Sequence, residues 1–92
     1  MRITAEISLY PMQEEFLPKI QAFIRAIGDA PGLEITVNQM STQLAGELHD
    51  VIRTLERALQ ASFASDGPQV LVAKFLNADL PIAEQPDLGD LR

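Results

Sequence analysis

The sequence predicts an α+β domain in which a four-stranded antiparallel sheet carries two helices on one face. Three observations lead there. Apolar residues repeat with a period of two in several short stretches and with the helical period in two longer ones. The stretches follow one another in the order βαββαβ. The chain has 92 residues, enough for one domain with a modest core.

The first strand is read over residues 2–10. Ile3, Ala5, Ile7 and Leu9 point one way, and Arg2, Thr4, Glu6, Ser8 and Tyr10 the other. Pro11 ends it, having no N–H to give to a ladder. The first helix is expected to start between Gln13 and Glu15, where Glu14 and Glu15 would face the positive end of its dipole. Phe16, Ile20, Phe23, Ile24 and Ile27 form its apolar stripe. Pro18 fits only if the helix starts late enough to put it in the first turn. Gly28 closes the helix, and Asp29, Ala30, Pro31 and Gly32 make a turn.

A second strand, 33–37, places Leu33, Ile35 and Val37 on one face. Asn38 and Gln39 form a turn or bulge. A third strand, 40–46, places Thr42 and Leu44 opposite Ser41, Gln43 and Ala45, and pairs with the second as a hairpin. The second helix, 48–63, buries Val51, Leu55, Ala58, Leu59 and Phe63, with Ile52 at the margin. Arg53, Glu56 and Arg57 make a charge-mixed solvent face. Ser65, Asp66, Gly67 and Pro68 form a turn, and residues 69–76 a last strand rich in Val and Leu. The folded unit is therefore 1–76. Residues 77–92, with Pro81, Pro86 and scattered acids, read as an extended or disordered tail.

This order is the ferredoxin-like arrangement, with strand order 4-1-3-2. Strands 1 and 3 are expected at the centre, running parallel. The helices cover Ile3, Ala5, Ile7 and Leu9. The other face, with Thr4, Glu6, Ser8 and Tyr10, then meets water, another subunit or a ligand.

Composition narrows the function. The net charge is −6, which argues against nucleic acid and against an anionic membrane surface. There is no cysteine, so neither a disulfide framework nor a thiolate metal site exists. No apolar run is long enough to span a membrane. The polar alternation of the first residues is unlike a signal peptide, so a cytoplasmic location is expected. The single histidine, His49, lies at a helix start beside Asp50, with no nucleophile fixed near it. No paired acid and base can be assigned, and the five glycines form no phosphate loop. No catalytic residue, metal or cofactor is expected.

What remains is a set of polar side chains on strands 1 and 3. Ser8, Tyr10, Asn38, Ser41, Thr42, Gln43 and Glu47 offer donors, acceptors and one aromatic surface. That mixture suits a small planar heterocycle carrying an amine and ring nitrogens. Glu47 or Glu6 would balance positive charge on it. On the bland reading these are ordinary exposed strand residues and a strand-to-helix turn.

The segment Ile7-Ser-Leu-Tyr-Pro-Met12, the block from Gly32 to Glu47 and the amphipathic helix after it resemble the YkoF-type thiamine- and hydroxymethylpyrimidine-binding family, within the wider DUF77 superfamily. The most specific parts are Ser-Leu-Tyr-Pro and the block Asn38-x-x-Ser-Thr-Gln-x-x-Gly-Glu47. The resemblance implies a ferredoxin-like fold and no enzymatic activity. It implies binding of thiamine or its pyrimidine precursor in vitamin uptake or salvage. Asn38, Ser41, Thr42, Gln43, Gly46 and Glu47, with Ser8 and Tyr10, match its motif positions. The namesake proteins hold two such domains in tandem and this chain holds one, so a homodimer or tetramer is expected. The alternative is an assembly or regulatory module that binds no metabolite.

Overall fold

A computed structural model describes residues 1–28, 30–86 and 88. The predicted Asp29 and the tail positions 87 and 89–92 lie outside the described residues. The elements are β1 (Arg2–Pro11), α1 (Leu17–Gly28), β2 (Glu34–Val37), β3 (Thr42–Glu47), α2 (Leu48–Phe63) and β4 (Gln69–Leu76). They form one four-stranded sheet in the order β2-β3-β1-β4, which is the predicted 4-1-3-2 order read from the other edge. The chain has the α+β, ferredoxin-like fold.

One expectation is corrected: β1 and β3 are neighbours, but they run antiparallel. The reason is in the connections. The crossover through α1 returns β2 parallel to β1 but leaves a gap between them. The β2–β3 hairpin then reverses direction and fills the gap, so β3 opposes both of its neighbours.

The buried face of the sheet is the one predicted. Ile3, Ala5, Ile7 and Leu9 pack with Leu44 of β3 against Phe23 and Ile27 of α1 and Val51, Leu55 and Ala58 of α2. Ile20 and Ile24 are half-buried outside the core, and two further stripe residues are exposed, because each stands where its helix ends. Phe16 precedes α1 and is exposed, and Phe63 closes α2 and is also exposed. In their place Thr54 is buried. Helix α1 starts at Leu17 rather than near Gln13, which puts Pro18 in the first turn, where its missing N–H leaves no helical bond unmade. At the far end of β3, Gly46 lies under the chain entering β2. A Cβ there would stand 2.5 Å from Leu33 Cδ2 and 3.2 Å from the Gly32 carbonyl.

The face without helices is partly covered by the chain itself. After β4, residues 77–84 turn back across β1 toward β2. Thr4 Oγ1 donates to the Ala78 carbonyl at 2.8 Å and accepts from the Leu80 N–H at 2.9 Å. Thr36 Oγ1 donates to the Ile82 carbonyl at 3.2 Å. Arg2 Nε meets Asp79 Oδ2 at 2.8 Å, and that hydrogen bond raises the pKa of the guanidinium above its ordinary value. This strap explains why Thr4 is buried on the sheet's open side.

Candidate functional site

The strands end unevenly, and the site lies at the step between them. β3 makes its last pair with β1 at Ile7↔Thr42. β1 continues to Pro11, paired from Ser8 onward with β4 only. Opposite that exposed stretch of β1 stand the loop 38–41 and the first half of α1. The result is a slot of about 120 Å³, lined by Ile7–Tyr10, by Ile20, Phe23 and Ile24, and by residues 38–42. At about 30 Å³ for a water in the liquid, it has room for a few waters or one flat ring.

Asn38 builds one wall. Its Oδ1 accepts from the backbone N–H of Met40 and of Ser41, both at 2.9 Å, and its own N–H donates to the Ser41 carbonyl at 3.0 Å. This is an Asx turn, and it holds the loop away from β1. Ser8 Oγ donates to the Met40 carbonyl at 3.3 Å and ties the loop back at one point. Ser41 Oγ donates to Glu6 Oε2 at 3.1 Å, and Glu6 Oε1 lies 3.5 Å from Lys74 Nζ.

Thr42 is different. It is only 4% exposed, and its hydroxyl makes no hydrogen bond among the described residues. No side-chain polar atom among those residues is both sealed and unpaired, so this hydroxyl opens into the slot. It shares the helix side of the sheet with Ile7 and Leu44, not the open face. Tyr10 stands at the rim, 53% exposed.

The structure thus brings together Ser8, Tyr10, Asn38, Ser41 and Thr42. It leaves out Gln43 and Glu47. Gln43 is opposite Glu6 on the open face, in the cleft under the strap. Glu47 lies five residues along β3 from Thr42, about 17 Å at the usual strand rise. There its Oε2 holds the Met1 ammonium at 3.1 Å. Gly46 faces Leu33 and gives space rather than a contact. The lining residues missed from sequence include Leu9 of β1 and the apolar wall of Ile20, Phe23 and Ile24. The helical period placed the wall residues in the core, and nothing in it showed that the core opens there.

Other hollows offer less. A larger one between α1 and α2, about 240 Å³, is lined by Ala22, Ala26, Ala58 and Ala61. Its polar residues are already engaged: Lys19 with Ser65, and Ser62 with Gln69. His49 is exposed, with Nε2 at 2.5 Å from Arg53. Among the described residues, no three acidic or histidine side chains converge to hold a metal ion. Among the described residues, no helix is long and apolar enough to cross a membrane.

Comparison with known proteins agrees with this architecture. A domain of unknown function DUF77 from Bacillus cereus superposes with a TM-score of 0.72 at 21% identity, over 86% of this chain and 78% of that one. Protein SP2199 from Streptococcus pneumoniae gives 0.77 at 18% identity, over 90% and 92%. A Thermotoga maritima protein, provisionally assigned to thiamine biosynthesis or salvage, gives 0.64 at 18% identity, over 94% and 90%. At these identities the likeness establishes the fold. No curated protein sequence matches the chain. The sequence does match the YKOF-related family over residues 2–81, from the first residue of β1 into the strap, and the chain belongs to that family.

Proposed function

We propose that this protein binds a small nitrogen heterocycle without transforming it, and that the ligand is thiamine or its hydroxymethylpyrimidine half, in uptake or salvage of the vitamin. The observation that carries the reading is the slot at the end of β3. It joins an unpaired, nearly buried hydroxyl, that of Thr42, to an apolar wall and an aromatic rim. A concave site that sets a few fixed polar groups beside apolar and aromatic side chains is a common form of small-ligand site. The family membership and the provisional thiamine assignment of the Thermotoga maritima relative favour this ligand class. The chemistry is binding alone: Thr42 and Tyr10 orient the ring, and no acid–base pair stands at the slot to attack it. Titration calorimetry with thiamine and with 4-amino-5-hydroxymethyl-2-methylpyrimidine tests the reading. Saturable heat with either supports it; none at millimolar ligand overturns it.

A second reading, assembly without a metabolite, is favoured by the open sheet face. Beyond the strap, Tyr10, Val70 and Val72 are exposed there side by side, with Met40 close by. A homodimer or tetramer that covers this patch is compatible with the ligand reading as long as the slot stays open. A dimer whose side chains fill the slot would leave assembly as the function.

A further inference from the structure

We propose that the slot reads its heterocycle through the main chain of Leu9. The Leu9 N–H donates to a ring nitrogen, and the Leu9 carbonyl accepts from the amine beside it. This rests on the heterocycle reading above and says how that ring is recognised.

The ladder sets which way the Leu9 main chain faces. In an antiparallel sheet each residue turns its N–H and its C=O to the same neighbour, and successive residues alternate between neighbours. Two bonds fix the phase in β1. Beside the pair Pro11↔Gln69, the Met12 N–H donates to the Pro68 carbonyl at 3.0 Å, so even-numbered residues face β4. Beside Arg2↔Glu47, the Leu48 N–H donates to the Met1 carbonyl at 2.9 Å, so odd-numbered residues face β3. Ile7 is the last odd residue with β3 opposite it. Leu9 is the next.

The loop opposite Leu9 does not replace the missing strand. Its N–H groups at Met40 and Ser41 are spent on Asn38 Oδ1. The Met40 carbonyl accepts from Ser8 Oγ, and the Ser41 carbonyl from the Asn38 N–H. Leu9 is 6% exposed and lines the slot. A buried backbone donor and acceptor are almost always paired, so these two call for a partner that enters the slot. An aromatic amine next to a ring nitrogen presents an acceptor and a donor side by side in one plane. It thus completes the sheet edge as a short strand would. The apolar wall of α1 lies against the ring face, and the Thr42 hydroxyl is left for a second ring nitrogen or a polar substituent.

Nuclear magnetic resonance on the ¹⁵N-labelled full chain tests this. In the free protein, the Leu9 amide is expected to exchange with solvent at least tenfold faster than the Ile7 amide. Added 4-amino-5-hydroxymethyl-2-methylpyrimidine should shift the Leu9 N–H downfield and slow its exchange. Replacing the Leu9 N–H by an ester oxygen, with the side chain unchanged, should weaken binding about tenfold, as should 4-methylpyrimidine in place of 4-aminopyrimidine. Free-state protection of Leu9 equal to that of Ile7 overturns the proposal. So does calorimetric binding that leaves the Leu9 amide unmoved, or equal binding of the 4-methyl and 4-amino rings; in those cases the heterocycle reading survives. If no aminopyrimidine binds at all, both fall.

Discussion

Asn38 and Thr42 bracket one loop, and their polar groups have opposite tasks. The Asn38 amide oxygen is fully used in holding the loop, whereas the Thr42 hydroxyl is unspent. Thr42→Val keeps the shape and removes only the hydroxyl. It should weaken the affinity for hydroxymethylpyrimidine by about 3- to 10-fold, in line with 0.5–1.5 kcal/mol for a neutral hydrogen bond. The melting temperature should stay close to that of the wild type, as read by calorimetry. Asn38→Ala should instead lower unfolding free energy by about 1 kcal/mol, and Asn38→Asp, which keeps the acceptor, should recover most of it in urea titrations. Glu47→Gln should leave ligand affinity unchanged, since Glu47 holds the N-terminal ammonium at the other end of β3. The sequence groups these residues because all are polar, lie on strands 1 and 3 and share one motif. A strand separates such neighbours in two ways. Its period of two sends Thr42 and Gln43 to opposite faces, and its rise carries Glu47 far from both.

The elements themselves were legible. The periods located all four strands and both helices, because each has one apolar side to bury. Boundaries were less so: Pro18 announced a late start for α1, but Phe16 extended the stripe and masked it. The strap was not legible at all. Residues 77–84 lack periodicity, and what holds them is a single bifunctional hydroxyl, Thr4, with Thr36 and the Arg2–Asp79 pair. Thr4→Val should free the segment, leaving the Ala78 carbonyl and the Leu80 N–H without their partner. Limited proteolysis within 77–84 should then quicken several-fold while the sheet core stays resistant. Gly46→Ala acts on a different joint. The added methyl must push Leu33 or the Gly32 carbonyl aside, and chemical denaturation should register a loss of about 1–3 kcal/mol.

For the whole molecule, the two sides of the sheet carry different loads. One side is closed by helices over a continuous core. The other is closed at one end by the strap and open at the other, where β4 is the edge strand among the described residues. Tyr10, Val70 and Val72 on that open part should be covered by a second copy in solution. Light scattering after size-exclusion chromatography should give at least a dimer, and Val72→Lys should shift the mass toward the monomer.

Recognition by a backbone edge has a further consequence for how such a site drifts over time. Under the proposal, the Leu9 side chain is free to be replaced by another apolar one without touching the groups that grip the ring, provided the neighbouring strand still ends at Thr42. A site of this kind is written in where a strand stops rather than in a residue motif, so it leaves almost no signature in the sequence.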